Sequence, residues 1–400
     1  MNSYFKNMTG RLRTVGWISV LLLAVTVCVL LVGCGQTKSA QDSRDISAEL
    51  VYESSLETEY AEEFSADFYE GGYTLLTIAD GSRFLLVPDG KKAPEDLAPD
   101  VTVLQQPLSN IYLVASAAMS SFADLDALDM IRFSGTRQSD WYIEDAAAAM
   151  ADGSILYAGK YSAPDYEKIL AEGCGLCIEN TMILHTPEVK ENLEKFGIPV
   201  MVDYSSYENE PLGRCEWVKF YGILTGKQTE AEKIFDEQKK YVDDITARLT
   251  DGNSAVSDGK RPTVAYFYIS SNGGAVVRKG NDYIPKMIEM AGGSYIFSDL
   301  GVDDGKASSS VNMQMEKFYE GTRDADYIIY NSTIDGEIGS IDELVAKAPL
   351  LADLKAVKNG NVYCTGKNFY QETNVCGLMV SDIYSMLTGS GDMVFLKKVN

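Results

Sequence analysis

The chain has 400 residues, of which 46% are hydrophobic, and it carries a formal net charge of −23. This length and composition predict two globular domains preceded by a leader. A surface this acidic repels nucleic acid and anionic membranes over most of its area, so no nucleic-acid partner is expected. We interpret the acidity mainly as a contribution to solubility.

The N-terminus has the pattern of a secretory signal. Basic residues and no acidic ones precede an apolar run from 15 to 32, and Gly33-Cys34 follows directly. A small residue followed by Cys34 resembles a bacterial lipoprotein box, which implies cleavage before Cys34 and diacylation there. Two acyl chains are enough for a stable membrane anchor.

A permanent membrane helix is the alternative, because about 18 apolar residues can just span a bilayer. We favour the lipoprotein, since the run ends on Gly-Cys and a polar tether from 35 to 45 follows. Both interpretations place the bulk of the chain at the outer face of the cytoplasmic membrane.

The segment from 49 to 70 is dense in acidic and aromatic residues and is either a short surface helix or a tether. It is followed by two β-rich runs, 73–78 and 83–87, on either side of an Asp-Gly turn. That pattern predicts a β-hairpin. We expect the hairpin to be a small addition at the edge of the first lobe.

From residue 110 onwards short apolar runs alternate with helical patterns, which predicts an α/β fold with mostly parallel sheets flanked by helices. The first half has predicted strands at 111–116, 131–135, 176–180 and 198–204, and helices near 121–130, 141–151, 165–172 and 187–196. The second half has predicted strands at 263–269, 295–297, 327–330 and 361–364, and helices near 283–291, 314–321 and 372–387. Ligands bind beyond the carboxyl ends of such strands, so two facing lobes would line one cleft.

The stretch from 211 to 250 separates these similar halves. Its apolar residues recur every three to four positions, which predicts two consecutive helices broken at Gly226. Thr229 and Glu232 form a capping box that predicts the start of the second helix. The expected segments are a signal peptide (1–33), a tether with the acidic segment (34–70), an N-terminal lobe (71–205), connecting helices (206–252) and a C-terminal lobe (253–400).

Five of the seven cysteines remain after Cys28, in the leader, and Cys34 are set aside. Cys174 and Cys177 form a Cys-x-x-Cys at the start of an apolar strand rather than at a helix N-terminus. Residues three apart on a strand point to opposite faces, which disfavours a shared metal. We expect small, buried, apolar roles for these cysteines.

Several segments resemble motifs of one known family, in the order in which that family has them. They are IYLVASAAMSSFADLDALDMIRFSG, APDYEKILAEGCGLCI, LEKFGIPV, YIPKMIEMAGGSYIF and LKAVKNGNVY. From about residue 107 to 387 the chain resembles the solute-binding lipoproteins of bacterial ATP-driven importers for iron–siderophore complexes, cobalamin and haem. The resemblance implies two α/β lobes, joined by a rigid helical connector that allows only small closure on ligand.

The resemblance also implies the partners: an ABC permease with its ATPase, and a chelated metal compound as ligand. We expect a monomer that has no catalytic activity and no cofactor. The permease-docking residues implied by motif position are Glu167 in PDYEKIL and Glu316 in MQMEKFY. Such surface glutamates pair with permease arginines and mainly fix orientation and speed encounter.

The family's binding residues lie in the loops after the strands. Aromatic rings there suit a large planar or macrocyclic chelate, and arginine forks suit carboxylate or catecholate oxygens. Trp141 and Arg278 are the best individual candidates. The full set of candidates is Trp141, Tyr142, Tyr204, Arg214, Asn272, Arg278, Tyr283 and Tyr370.

The single histidine, His185, follows an apolar run near the predicted cleft, where it could meet a metal centre. The alternative is a position ahead of the helix at 187–196. A site for a bare metal ion usually gathers several His, Asp or Glu ligands, so one histidine disfavours direct capture. We therefore expect the metal to arrive already chelated and assign no metal-ligating residue.

An iron–siderophore-type chelate is the predicted ligand, with cobamide or haem as alternatives for the same machinery. An extracellular enzyme is a remote alternative, because the sequence has no Gly-x-Ser-x-Gly, His-Glu-x-x-His or phosphate-binding Gly-Lys-Ser/Thr motif. An adhesive surface protein is equally remote, and it would have no enclosed cleft between lobes.

Overall fold

Two central β-sheets, each flanked by helices, occupy the two halves of the chain. The computed structural model describes residues 44–251, 260–302 and 309–400, so the predicted signal peptide and Cys34 lie outside the described residues. No helix within the described ranges combines the length and the hydropathy needed to cross a membrane.

An additional five-stranded sheet precedes the first lobe. Its strands are β1 (Tyr52–Ser55), β2 (Phe64–Tyr69), β3 (Tyr73–Ile78), β4 (Arg83–Val87) and β5 (Val101–Gln105), in the order β1-β2-β3-β4-β5. The predicted hairpin is confirmed as β3 and β4, which pair antiparallel. The two alternatives for 49–70, helix or tether, are both wrong, because this segment supplies β1 and β2.

Two buried carboxylates fasten this sheet to the rest of the fold. Glu216 accepts hydrogen bonds from the backbone N–H groups of residues 59, 60 and 61 at 2.8–3.0 Å. Glu208 accepts bonds from the N–H groups of residues 62 and 63, and from the indole of Trp217 at 3.0 Å. Buried charges need such full sets of partners, so the β1–β2 loop is fixed at this place.

The N-terminal lobe is built on a parallel sheet in the order β12-β11-β6-β7-β8. Its strands are β6 (Ile111–Leu113), β7 (Ile131–Ser134), β8 (Leu156–Tyr157), β11 (Leu176–Asn180) and β12 (Val200–Asp203), and β9 (Gly159–Lys160) with β10 (Ala163–Pro164) forms a separate ribbon. Its helices are α1 (Ala118–Asp124), α2 (Glu144–Ala151), α3 (Tyr166–Ala171) and α4 (Pro187–Lys195). The predicted strand–helix alternation is confirmed.

Two long helices connect the lobes: α5 (Pro211–Thr225) and α6 (Gln228–Thr250). Gly226 ends α5 with a φ of 73°, as its position predicted. The predicted capping box is wrong, because α6 begins at Gln228 and no side chain caps it. Thr229 is therefore the second residue of α6 rather than its N-cap.

The C-terminal lobe has a mixed sheet in the order β16-β14-β13-β17-β18-β19, with β15 also pairing with β13. Its strands are β13 (Thr263–Ile269), β14 (Ala275–Arg278), β15 (Ser294–Tyr295), β16 (Ser310–Met313), β17 (Tyr327–Tyr330), β18 (Val362–Thr365) and β19 (Leu396–Lys398). Its helices are α7 (Tyr283–Met290), α8 (Met315–Thr322), α9 (Ser332–Asp335), α10 (Ile341–Lys347), α11 (Lys355–Lys358) and α12 (Cys376–Thr388). Strands β13, β15, β17 and β18 are parallel, as expected.

The connecting helices share their core with both lobes. One cluster of buried apolar side chains runs from the N-terminal lobe through α5 and α6 to α7 and α12. Helix α12 lies against α6 so closely that a Cβ at Gly377 would stand 2.1 Å from the carbonyl oxygen of Gln238. Because the connector is packed along its length, it is a rigid strut rather than a flexible hinge.

Candidate functional site

A cavity of about 370 Å³ lies between the two lobes, and we call it the cleft. The N-terminal lobe contributes residues 115–117, 180–182, 203, 205 and 206, which lie at or just after the carboxyl ends of β6, β11 and β12. Residues of the C-terminal lobe and Arg214 of α5 form the opposite wall: Arg278, Asp282, Tyr283, Ser309, Tyr370 and Thr373. The location agrees with the rule that ligands bind beyond the carboxyl ends of parallel strands.

Arg278, at the end of β14, presents a guanidinium group to the cleft. Its Nη1 donates to the Ser309 hydroxyl at 2.9 Å, and its Nη2 donates to the hydroxyl of Tyr370. The carboxylate of Asp282 lies 3.6 Å away. These partners fix the plane of the guanidinium, which can then offer its remaining N–H groups to a ligand.

The hydroxyl of Tyr370 is the centre of a polar cluster in this wall. It lies 3.0 Å from the Tyr266 hydroxyl and accepts a hydrogen bond from Asn331 Nδ2 at 3.0 Å. Burial raises the pKa of the Tyr266 phenol. Four polar side chains from β13, β14, the end of β17 and the loop after β18 therefore converge on one edge of the cleft.

Arg214, on the first turn of α5, supplies the second guanidinium group. It stacks on the ring of Tyr283 with 3.7 Å between the guanidinium carbon and the ring centroid. Its Nε donates to the Glu208 carbonyl at 3.1 Å, and its Nη2 donates to the Ser206 carbonyl at 2.6 Å. Arg214 thus fixes the loop between β12 and α5 against the first turn of α5, beside the cleft.

Two aspartates accompany the two arginines among the described residues that line the cleft. Asp203, at the end of β12, accepts hydrogen bonds from Ser205 N–H at 2.8 Å and from the hydroxyl of Tyr221. Burial raises the pKa of Asp203, although these bonds oppose the shift. Asp282 caps α7 by accepting from Ile284 N–H at 3.0 Å.

Four of the eight predicted binding residues line the cleft: Arg214, Arg278, Tyr283 and Tyr370. Trp141 does not, because its indole is buried in the N-terminal lobe and donates to Ser134 Oγ at 3.1 Å. This position gives no support to Trp141 as a ligand contact. The large apolar ring is accommodated in the core rather than in the polar cleft.

The other three candidates also lie outside the residues that line the cleft. Tyr142 is exposed at the rim, where its backbone N–H donates to Gln371 Oε1 at 2.9 Å. The ring of Tyr204 is buried against Tyr207, with 5.2 Å between centroids. Asn272 closes the turn after β13 by accepting from Ser270 Oγ at 2.5 Å.

Sequence reasoning missed the small polar residues of the cleft. Asn180 ends β11, Thr181 follows it, Ser205 and Ser206 come after β12, and Ser309 precedes β16. Only their position at the strand ends could have indicated them, because their side chains carry no distinctive chemistry. His185 is exposed at the end of a short 3₁₀ helix and is not among the lining residues.

Glu167 and Glu316 have equivalent positions in the two lobes. Glu167 lies in the first turn of α3 and Glu316 in the first turn of α8, and both are exposed. Acidic residues are stabilised in the first turn by the helix dipole, which is reason enough for a glutamate there. Their exposure leaves both carboxylates accessible to a partner protein.

No group of three or more His, Cys, Asp and Glu suited to a metal ion occurs within the described ranges. The five cysteines described are free thiols: Cys174, Cys177, Cys215, Cys364 and Cys376. Cys177 is fully buried, and burial raises its pKa well above that of an ordinary thiol. A thiol in such surroundings behaves as a small apolar side chain.

Comparisons with known proteins agree on one kind of fold. Residues 114–369, more than half of the chain, match the model of a family described as periplasmic binding protein. An uncharacterized lipoprotein of Methanocaldococcus jannaschii is 28% identical over 328 residues, which cover 78% of this chain and 72% of that protein.

Two solved structures have similar folds. A periplasmic haem binding protein from Pseudomonas aeruginosa superimposes with a TM-score of 0.56 at 13% identity, covering 73% of this chain and 98% of that one. A protein of an ABC-type Fe³⁺-hydroxamate transport system from Saccharomonospora viridis has a TM-score of 0.53 at 18% identity, covering 70% of this chain and 93% of that one. At these identities the likeness concerns the fold.

Proposed function

Because this chain belongs to the periplasmic binding protein family, we propose that it is the extracytoplasmic substrate-binding lipoprotein of an ABC importer. It captures an iron–siderophore-type chelate in the cleft and delivers it to a permease driven by an ATPase. The observation that carries the proposal is the cleft itself, in which Arg214 of the connector and Arg278 and Tyr370 of the C-terminal lobe face residues of the N-terminal lobe. No catalytic step is part of this function.

The composition of the cleft supports a chelate of low net charge. The charged side chains of its lining are two arginines, Arg214 and Arg278, and two aspartates, Asp203 and Asp282, whereas the whole chain carries −23. A strongly anionic tricatecholate would leave several charges without a partner, and buried unpaired charges are costly. A neutral ferric hydroxamate presents oxygen atoms that can accept hydrogen bonds from the guanidinium and hydroxyl groups.

Haem is the second candidate, and the hydroxyl of Tyr370 favours it. Tyrosine is one of the side chains that hold haem iron, and this hydroxyl lies at the cleft wall between Arg278 and Asn331. The similar Pseudomonas aeruginosa structure is described as haem-binding. Cobamide capture by the same machinery is tested with the same titration.

The test is a titration of the purified protein with a ferric trihydroxamate, a ferric tricatecholate, cobalamin and haemin. Binding is monitored by calorimetry and by tryptophan fluorescence. We expect sub-micromolar binding of the trihydroxamate. Arg278→Ala should weaken binding about 10- to 100-fold, the range for a hydrogen bond to a charged group. Arg323→Ala, an exposed arginine in the same lobe, is the matched control.

Two results would decide against the iron–siderophore assignment. A haemin complex whose Soret band shifts in Tyr370→Phe would identify haem as the ligand. Absence of binding to all four compounds would reject this ligand class.

The other parts of the proposal concern the cell envelope. Cys34 carries the lipid anchor, and the mature monomer is held at the outer face of the cytoplasmic membrane. Its permease contacts are Glu167 and Glu316, one on each lobe. The lobes comprise residues 71–205 and 253–400, with the connecting segment 206–252 between them. Residues 52–69 supply strands β1 and β2 of the five-stranded sheet that precedes the first lobe.

A further inference from the structure

One segment of the C-terminal lobe crosses to the N-terminal lobe beside the cleft. It extends from Lys367 to Val375, between β18 and α12, and we call it the bridging segment. Tyr370 and Thr373, both in this segment, line the cleft. Its other contacts therefore decide where this wall stands relative to the N-terminal lobe.

Gln371 forms a direct contact between the lobes. Its Nε2 donates to the carbonyl oxygen of Asp140 at 2.7 Å, and its Oε1 accepts from the backbone N–H of Tyr142 at 2.9 Å. One side-chain amide is thus bound through its donor and its acceptor to the loop that precedes α2. Both partners are backbone groups, so their chemistry does not depend on the side chains of that loop.

Further contacts of the bridging segment lie on either side of Gln371. Asn374 is almost fully buried, and its Nδ2 donates to Asp124 of α1 at 2.6 Å. The Nζ of Lys367 lies 5.5 Å from the ring centroid of Tyr142. Tyr370 is therefore held in a segment whose neighbours on both sides contact the N-terminal lobe.

We propose that Gln371 is a positioning residue for ligand capture. Its two hydrogen bonds set the distance between the walls of the cleft and orient Tyr370, and both bonds break when the cleft opens to release its ligand. This inference rests on the proposed function, because it assigns to Gln371 a part in retaining the captured chelate. Gln371 itself is not among the residues that line the cleft.

The expected effect is on the rate of dissociation. Because Gln371→Ala removes two neutral hydrogen bonds, it should raise the dissociation rate about 10-fold. Association should change less, because it depends mainly on diffusion to the cleft mouth. The rates are measured by stopped-flow fluorescence with the ferric trihydroxamate as the probe.

A carboxyl group at this position gives a sharper test than truncation. At pH 7 the ionised carboxylate introduced by Gln371→Glu cannot donate to the Asp140 carbonyl, so dissociation should be at least as fast as in Gln371→Ala. Near pH 4 more than half of the introduced carboxyl groups are protonated, and a protonated carboxyl group reproduces one donor and one acceptor. The dissociation rate should then return toward that of the unmodified protein.

Gln138→Glu and Gln138→Ala are the matched controls, because Gln138 is exposed in the same loop of the N-terminal lobe. Neither control should change the dissociation rate at either pH. A merely structural role of Gln371 would lower stability without giving the recovery at acidic pH. If the Gln371 variants release the probe at the rate of the unmodified protein, the proposal is overturned.

A second readout needs no ligand. The backbone N–H of Tyr142 donates to Gln371 Oε1. Gln371→Ala should therefore accelerate hydrogen exchange at that amide about 10-fold or more, whereas Gln138→Ala should leave the exchange rate unchanged. Unchanged exchange at Tyr142 would overturn the bridge between the lobes. If no chelate binds even the unmodified protein, the proposed function fails, and this exchange measurement alone decides on the bridge.

Discussion

Glu179 is the most unusual ionisable residue outside the cleft. It lies on strand β11, fully buried, with Oε1 3.6 Å from the thiol of Cys177 and with Oε2 buried without a hydrogen-bond partner. Burial raises its pKa to about 8, because the core disfavours the ionised form. At neutral pH the folded protein therefore holds Glu179 mostly as the neutral acid.

A pH dependence of stability follows from this residue. The pKa of Glu179 is higher in the folded than in the unfolded chain, so its contribution is fully present below about pH 4.3 and is lost as the pH rises through about 8. Glu179→Gln should remove this part of the decline, which amounts to at most about 5 kcal/mol. Chemical denaturation between pH 5 and pH 9 measures it.

Glu188→Gln, an exposed change on α4, is the control for that experiment. It should leave the slope of unfolding free energy against pH as in the unmodified protein. An equal slope in Glu179→Gln and in the control would show that Glu179 is ionised in the folded state.

The residues of the cleft that sequence reasoning found are the conspicuous ones. Arg278, Tyr283 and Tyr370 combine a distinctive side chain with a place after a strand, and both signals are visible in the sequence. Trp141 has the same two signals, yet its ring is buried in the lobe. Sequence position cannot distinguish a cleft residue from a buried one, because the direction of a loop side chain depends on its packing against residues that are distant in the sequence.

At the scale of elements, the buried carboxylates of Glu208 and Glu216 attach the five-stranded sheet β1–β5 to the connecting segment, because they bind the β1–β2 loop. Glu216→Ala would leave the N–H groups of residues 59–61 without their acceptor and Lys219 without its ion pair at 2.8 Å. Breaking such a buried set should reduce the free energy of unfolding by about 3–5 kcal/mol. Denaturant unfolding measures this loss.

Hydrogen exchange locates the same effect. Amides 59–61 should lose protection in Glu216→Ala, while Glu62→Ala, an exposed change in the same loop, should leave them protected. Equal stability and exchange in the two variants would contradict the role given to Glu216.

Long buried elements could be predicted from the sequence, and short exposed ones could not. The bounds of β13 and β17 coincide with the apolar runs 263–269 and 327–330, because strands covered on both faces are continuously apolar. Strands β1 and β2 were missed, because β1 is exposed at all four positions and Asp67 interrupts the apolar pattern of β2. The start of α6 was misplaced, because the turn is fixed by the contact of α5 with α6 rather than by a cap.

At the scale of the whole molecule, substitutions at Glu167 and Glu316 test delivery of the chelate to the permease separately from binding of the chelate in the cleft. They lie on different lobes, exposed, and away from the residues that line the cleft. Reversing both to Lys should abolish uptake of the chelate by whole cells, because like charges would face the permease arginines. Ligand affinity should stay within about threefold of the unmodified protein, since neither residue touches the cleft.

Glu188→Lys and Glu320→Lys, exposed changes on α4 and α8, form the matched pair of control substitutions. They make the same change in net charge and should leave uptake intact. Uptake retained by the Glu167 and Glu316 reversal would mean that neither residue is needed for docking.

The central claim is that two rigid lobes bind a chelated iron between them. The most direct measurement is a crystal structure of the protein with a ferric trihydroxamate, with diffraction data collected at the iron absorption edge. The account predicts an anomalous peak in the cleft, between residues 115–117 on one side and Arg278 and Tyr370 on the other. An iron peak elsewhere on the protein, or an empty cleft at saturating ligand, would contradict it.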